Sequence, residues 1–115
     1  MILIIGGTSS GKKEYVMSEY GFSPEDMADA VINDKPVIYN LQDLVAQNPG
    51  KYRMLLPELV KKQVVICNEV GCGIVPVSAE EREIRESTGR LCIILAQKAE
   101  KVVRIICGVP SVIKG

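Results

Sequence analysis

The sequence predicts an α/β protein, a three-layer domain in which a mostly parallel sheet is flanked by helices. Four short apolar runs rich in β-branched residues, at 1–5, 35–40, 63–68 and 102–107, alternate with segments that have helical spacing or turn residues. The runs are continuously apolar, which is typical of strands covered on both faces. The chain of 115 residues has room for one such domain, and we expect it to span 1–115.

Two short helices are predicted to follow the first apolar run. Residues 12–20 place apolar side chains on one side and predict a short amphipathic helix. Ser23 and Pro24 then offer an N-cap and a first-turn proline, and apolar residues continue at helical spacing as far as Val31. A brief second helix is therefore expected there.

Two further helices are predicted around the third apolar run. Residues 51–62 carry an apolar face, although Pro57 is tolerated only near a helix start or at a kink. Ser78, with Glu81 three residues later, forms a capping-box pattern, and apolar residues recur every three or four positions beyond it. This pattern predicts a long helix over about 79–99.

The last residues, 108–115, are interpreted as a strand exit and a tail. Gly108 and Pro110 interrupt regular structure in this segment. No internal repeat or linker divides the chain, which agrees with one domain.

The composition limits the classes of partner. Lysine plus arginine equals aspartate plus glutamate, at 14 each, so no net charge attracts nucleic acid or an acidic membrane. The longest apolar stretches are far too short to span a bilayer, and the N-terminus lacks the features of a signal peptide. We expect a soluble cytoplasmic protein with no nucleic-acid and no membrane partner.

The cysteines lie at positions 67, 72, 92 and 107, mostly among aliphatic residues. They form no CxxC pair, and the chain has no histidine to complete a mixed zinc site. We interpret them as reduced, small buried hydrophobic residues, with a redox role as the alternative.

The first concentrated motif is GGTSSGKK, directly after the first apolar run. Its glycines have the GxxxxGK spacing of a phosphate loop, in which backbone N–H groups and a helix N-terminus meet an anion. The ammonium of Lys12 can then reach the β- and γ-phosphates of ATP or GTP, which makes it a catalytic candidate. The alternative is a Gly/Ser-rich turn before a lysine. The motif predicts a P-loop NTPase-like fold with a nucleotide site at Gly6, Gly7, Thr8, Ser9, Ser10, Gly11, Lys12 and Lys13.

Lys13 departs from the phosphate-loop pattern, in which Ser or Thr at this position coordinates Mg²⁺. An ammonium cannot bind a metal, so Mg²⁺ would have to be held through waters and a carboxylate. Two interpretations of Lys13 stay open: a solvent-facing lysine, or a phosphate contact. In both, nucleotide binding survives while phosphoryl transfer weakens.

The second motif is NEVGCGIVP, residues 68–76, directly after the third apolar run. The carboxyl ends of parallel strands face a common crevice, so Asn68 and Glu69 should emerge beside the phosphate loop. Glu69 is the catalytic candidate that would place Mg²⁺, and its alternative is a salt-bridged or solvated acid. Gly71 and Gly73 serve either a turn or a close ligand approach.

These motifs, with EEREIRESTGRL at 80–91 and IICGVP at 105–110, resemble the adenosylcobinamide kinase and adenosylcobinamide-phosphate guanylyltransferase family of cobalamin biosynthesis. The resemblance covers the first 13 residues and 64–114. It implies ATP or GTP as nucleotide and cobinamide or another corrinoid as substrate. It also implies a homo-oligomer, a trimer with the site near a subunit boundary.

The resemblance also assigns a substrate-binding role in the long helix. Arg82 and Arg85 match the family's arginines, and they lie three residues apart on one helix face, where they can grip an anionic group or stay solvated. Family members usually carry Asn-Gln where this chain has Cys92 and Ile93. A polar contact to substrate or to a neighbouring subunit is lost with that replacement.

The resemblance implies two activities: a kinase step on the cobinamide hydroxyl, and guanylyl transfer through a histidine-bound intermediate. Because the chain has no histidine, the second route is closed in the family's form. We therefore expect a nucleotide-binding protein without guanylyltransferase activity, in which the kinase step is weakened by Lys13. The alternatives are an active cobinamide kinase and a non-catalytic partner subunit.

Overall fold

The structure is a computed structural model and describes residues 1–48, 50–69 and 78–115. Its strands are β1 (Ile2–Gly6), β2 (Met27–Asp29), β3 (Val37–Tyr39), β4 (Val64–Asn68), β5 (Lys101–Ile106) and β6 (Val109–Lys114). They form one sheet in the order β2-β3-β4-β1-β5-β6. Strands β1 to β5 run parallel, and β6 is antiparallel to β5. The predicted mostly parallel sheet is therefore confirmed.

The helices are α1 (Lys12–Tyr20), α2 (Leu41–Gln47), α3 (Leu56–Leu59) and α4 (Ala79–Lys98). Short 3₁₀ turns cover Pro24–Asp26 and Tyr52–Leu55. Both α1 and α4 confirm the predictions for their segments. The predicted N-cap of α4 is present, because Ser78 Oγ accepts the Glu81 backbone N–H at 3.1 Å.

Helices cover both faces of the sheet, and the sheet divides the core into two apolar layers. On one face, Leu3 and Val65 are fully buried against α2 and α4. On the other face, Ile4 and Ile66 are buried against Val16 of α1. Neighbouring strand residues thus point into different apolar layers, which explains why the strands are continuously apolar in sequence.

The helix predicted after Ser23 is wrong. The Ser23 backbone N–H donates to Asp26 Oδ2 at 2.9 Å, and this local capping closes only the 3₁₀ turn at 24–26. Met27 is already extended, with φ −114° and ψ 125°, and it pairs with Val37 in the sheet. Pairing with β3 therefore overrides the helical spacing of the segment.

The segment 51–62 is helical only in part. A 3₁₀ turn at 52–55 leads into the single turn of α3, and Pro57 lies at the start of that turn, where a proline is tolerated. The prediction missed α2, whose residues Leu41 and Leu44 are buried against the sheet.

The tail predicted for 108–115 is wrong as well, because β6 pairs with β5 as a hairpin. Cys107 and Gly108 form its two-residue turn, with φ of 50° and 76°, the left-handed conformations that tight hairpins require. Gly108 is therefore the turn itself and not the end of regular structure. Pro110 is accommodated because β6 is an edge strand.

Replacing Leu95 tests how strongly α4 holds the sheet. Leu95 is fully buried, so Leu95→Ala should leave a cavity and lower the free energy of unfolding by about 2–5 kcal/mol. Ile93 lies on the same helix but is 60% exposed, so Ile93→Ala should change that free energy by less than about 0.5 kcal/mol. Urea unfolding of both variants measures the difference, and equal losses would contradict this packing.

Candidate functional site

The glycine-rich loop, residues 6–13, lies at the centre of the sheet's carboxyl edge. It leaves β1 between β4 and β5, and α1 begins at Lys12. Ser9 and Gly11 have φ of 57° and 90°, so the chain turns sharply before the helix. The loop thus wraps around the N-terminus of α1, where backbone N–H groups lack helical partners and favour an anion.

Close packing makes glycine necessary at Gly6. A Cβ at this position would lie 2.6 Å from Ile105 O and 2.6 Å from Ser10 Oγ, closer than real Cβ atoms come. On the same side of the loop, the Gly108 N–H donates to Ser10 O at 2.8 Å. The loop is therefore braced by β5 and by the turn of the β5–β6 hairpin.

Lys12 folds back over the loop and is only 8% exposed. Its Nζ donates to Gly7 O at 2.5 Å and lies 3.5 Å from Ser10 Oγ. Burial lowers the pKa of Lys12, while its electrostatic interactions with Cys67 and Glu69 partly oppose that effect. The ammonium is thus held inside the loop, where a phosphate oxygen could replace Gly7 O as its hydrogen-bond acceptor.

Lys13 is exposed and extends toward β3. Its Nζ lies 4.7 Å from the centre of the Tyr39 ring, a cation–π arrangement. This position lies on the rim of a cleft of about 420 Å³, which the loop residues 8–13 line together with Tyr39, Asn40 and Asn68. The cleft has the size of small-molecule sites.

Sequence reasoning missed Tyr39 and Asn40 as residues of this cleft. They follow the second apolar run, and β3 lies next to β4 in the sheet. Asn40 is held by its own contact, since its Nδ2 donates to Asp29 Oδ1 at 2.7 Å. The polar end of that run, beside a parallel strand, is the signal that could have identified them.

Asn68 and Glu69 emerge beside the loop, as the order of elements predicts. The Glu69 backbone N–H donates to Gly6 O at 2.8 Å, and Asn68 Nδ2 lies 3.3 Å from Thr8 Oγ1. Gln42 of α2 accepts the Asn68 backbone N–H at 3.2 Å and fixes the end of β4. Asn68 therefore connects β4 to the loop.

The carboxylate of Glu69 is engaged by Arg104 of β5. Arg104 Nε donates to Glu69 Oε1, and Arg104 Nη2 donates to Oε2 at 3.0 Å. The Glu69 side chain is 16% exposed and that of Arg104 is 43% exposed. Of the two interpretations of Glu69, the geometry matches the salt-bridged acid, and a metal-binding role stays a prediction.

Arg104 was not anticipated as part of the site. Its signal in the sequence is a single charge inside an otherwise apolar run, VVRIIC. In the sheet it pairs in register with Ile5, one residue before the loop begins. The charge of Arg104 therefore lies near the carboxyl end of β5, next to the site.

The two arginines predicted to bind substrate belong to α4. Arg82 and Arg85 are on the first two turns of α4 and do not line the loop cleft, with Arg82 exposed and Arg85 partly buried. Gly71 and Gly73 lie outside the described residues. Their roles stay predictions.

The part of the chain that the structure describes contains neither a metal-binding cluster nor a membrane-spanning helix. Within 1–48, 50–69 and 78–115, no three His, Cys, Asp or Glu side chains gather where they could hold a metal ion. Among the helices in these ranges, none combines the length and the apolar character needed to cross a membrane.

Comparison with known proteins identifies the family. The family model described as cobinamide kinase / cobinamide phosphate guanyltransferase matches residues 32–113, and no curated protein matches the chain. The match includes Glu69 and Arg104 but not the glycine-rich loop, which the geometry alone describes. Because the match covers well over half of the chain, this protein belongs to the cobinamide kinase / cobinamide phosphate guanyltransferase family.

Proposed function

We propose that the protein binds a nucleoside triphosphate, ATP or GTP, at the glycine-rich loop and transfers its phosphoryl group weakly or not at all. One observation carries the proposal: Lys12 Nζ is held against Gly7 O beside the N-terminus of α1, inside a cleft. An ammonium, free backbone N–H groups and a helix N-terminus together form an anion site. The cobinamide or other corrinoid substrate of the family is the corresponding acceptor.

The charges around the loop support binding with little dependence on Mg²⁺. Lys13 lies on the cleft rim, where a cation can neutralise a phosphate but cannot coordinate a metal. Glu69, the carboxylate that would place Mg²⁺, has both oxygens bonded to Arg104. Since phosphoryl transfer relies on metal-assisted charge neutralisation, this arrangement favours binding over transfer.

Guanylyl transfer is the less supported of the family's activities. The resemblance assigns it a histidine nucleophile, and the sequence contains no histidine. No other nucleophile beside the loop is proposed for that step.

An active cobinamide kinase is the second candidate. The hydrogen bond between Asn68 Nδ2 and Thr8 Oγ1 favours it, because it places a hydroxyl at the junction of the loop and β4. In that case Arg82 or Arg85 would grip the substrate, and water-bridged Mg²⁺ would meet Glu69. A homotrimer with the site near a subunit boundary is the assembly proposed for either function, and a non-catalytic subunit is the third candidate.

Calorimetric titration with ATP and GTP, each with and without Mg²⁺, tests the proposal. We expect binding of at least one nucleotide with an affinity that changes little when Mg²⁺ is removed. Strong Mg²⁺ dependence with turnover of cobinamide would select the kinase. Absence of binding by both nucleotides would overturn the proposal and leave the non-catalytic subunit.

Replacing Lys12 tests the anion site directly. Lys12→Ala removes the ammonium that meets the phosphates, and we expect nucleotide affinity to fall by about tenfold or more, since charged hydrogen bonds contribute about 1.5–3 kcal/mol. Lys13→Ala is the matched control on the cleft rim and should have a smaller effect. Unchanged affinity in folded Lys12→Ala would show that the loop does not bind the nucleotide.

Restoring the missing hydroxyl tests the metal position. Lys13→Ser should make nucleotide affinity depend more strongly on Mg²⁺, because a hydroxyl can coordinate the ion at the first turn of α1. Lys13→Ala removes the same charge without adding a hydroxyl, so the difference between the two variants isolates the metal effect. Identical Mg²⁺ dependence in both would refute this account of Lys13.

The lowered pKa of Lys12 predicts a pH dependence of binding. The protonated ammonium binds phosphate, and burial makes Lys12 lose its proton at a lower pH than an ordinary lysine. Nucleotide affinity should therefore fall as the pH rises from neutral into the alkaline range. Lys12→Arg keeps its charge throughout this range, so its affinity should stay level, and a parallel decline in both proteins would contradict the assignment.

A further inference from the structure

A continuous series of hydrogen bonds follows the carboxyl edge of the sheet from the end of β2 to the glycine-rich loop. Asn40 Nδ2 donates to Asp29 Oδ1 at 2.7 Å, and Gln42 Nε2 donates to Asn40 Oδ1 at 3.3 Å. Gln42 Oε1 accepts the Asn68 backbone N–H at 3.2 Å, and Asn68 Nδ2 donates to Thr8 Oγ1 at 3.3 Å. Gln42 therefore links the end of β3 to the strand that holds the loop.

The groups at the two ends determine which way the amides of Asn40 and Gln42 point. A backbone N–H can only donate, so the Asn68 N–H faces the oxygen of the Gln42 amide. An ionised carboxylate can only accept, so Asp29 faces the NH₂ group of Asn40. The Gln42 NH₂ group then meets the oxygen of Asn40. Neither amide can be reversed without losing hydrogen bonds.

Helix α2 holds Gln42 in this place. Leu41 and Leu44 are buried against the sheet, and Gln42 follows Leu41 in the first turn of the helix. Asn40 is the N-cap residue, but its side chain makes no capping hydrogen bond. Its oxygen accepts from the Gln42 side chain, where an N-cap asparagine ordinarily accepts from a backbone N–H of the first turn. The series thus uses the side chain that would otherwise cap α2.

The last hydrogen bond of the series leaves the Thr8 hydroxyl with a proton to donate. Thr8 Oγ1 accepts from Asn68 Nδ2, and it donates to no other group in the part of the chain that the structure describes. Thr8 is exposed and lines the loop cleft. Lys12 Nζ, the ammonium that can reach the β- and γ-phosphates, is bonded to the oxygen of Gly7, the residue before Thr8. The hydroxyl is therefore a donor near the terminal phosphate.

We propose that Gln42 is a positioning residue through which the site distinguishes a nucleoside triphosphate from a nucleoside diphosphate. The inference rests on the proposed function, because it requires a nucleotide at the loop. Gln42 holds the end of β4, Asn68 holds the Thr8 oxygen, and the Thr8 proton is donated to an oxygen of the γ-phosphate. A diphosphate lacks that phosphate, so only the triphosphate gains this hydrogen bond.

The affinity ratio, defined as the Kd of the diphosphate divided by the Kd of the triphosphate, tests this role. Calorimetry measures it with ATP and ADP, and with GTP and GDP, at a fixed Mg²⁺ concentration. Thr8→Val removes the hydroxyl, and Gln42→Met removes the acceptor of the Asn68 N–H. We expect each variant to lower the ratio by about tenfold, because a hydrogen bond to a charged group is lost. Affinity for the diphosphate should stay nearly unchanged.

Three further variants separate positioning from damage to the fold. Gln42→Glu keeps an oxygen that accepts the Asn68 N–H, so it should restore most of the ratio. Gln47→Met, at an exposed position of the same helix, is the matched control and should leave the ratio unchanged. The double variant of Thr8→Val and Gln42→Met should lower the ratio no further than Thr8→Val alone, because Gln42 acts through the Thr8 hydroxyl.

The inference is overturned if folded Gln42→Met keeps the parent ratio, if Gln42→Glu loses as much as Gln42→Met, or if the two losses add in the double variant. Circular dichroism establishes folding, and Gln42→Ala removes the same acceptor if Gln42→Met does not fold. In each of these outcomes the parent protein still binds the triphosphate, so the proposed function stands. Absence of nucleotide binding by the parent protein overturns the proposed function and this inference together.

Discussion

The fit between the glycine-rich loop and the neighbouring backbone determines the geometry of the site. Gly6 has no room for a side chain because Ile105 O and Ser10 Oγ occupy the space around it. At this contact the end of β1 lies against β5. The hydrogen bond from the Gly108 N–H to Ser10 O connects the hairpin turn to the loop. The central parallel strands thus set where the loop opens, and α1 starts from a position that the sheet defines.

Charge is arranged around the loop in opposing pairs. Lys12 lies inside it, and the charge of Glu69 supports the protonated form of that lysine across the end of β4. Glu69 is in turn bonded through both carboxylate oxygens to Arg104. The local charge is therefore balanced by protein groups, while Lys13 adds a further cation at the rim. A polyphosphate entering this cleft meets fixed cations, which suits binding more than metal-assisted chemistry.

The strands that are covered on both faces were predicted well from the sequence, whereas α2 and the strands β2 and β6 were missed. The four apolar runs became strands β1, β3, β4 and β5, because strands covered on both faces must be continuously apolar. β2 was missed because the capping signal at Ser23 closes a turn in place of a helix, and β6 because an exposed edge strand with Pro110 lacks apolar continuity. The loop and Glu69 follow from spacing, whereas Tyr39 and Arg104 enter the site only through the strand order.

The hydrogen bond between the hairpin turn and the loop couples the stability of these two parts of the chain. The amide of Gly108 donates to Ser10 O only while the loop holds its folded form. A ligand that stabilised the folded loop would therefore also stabilise the turn, and by reciprocity a change that stabilised the turn together with this hydrogen bond would favour the folded loop. Hydrogen exchange at the Gly108 amide, which lies in the β5–β6 turn, would then respond to a ligand that bound at the loop.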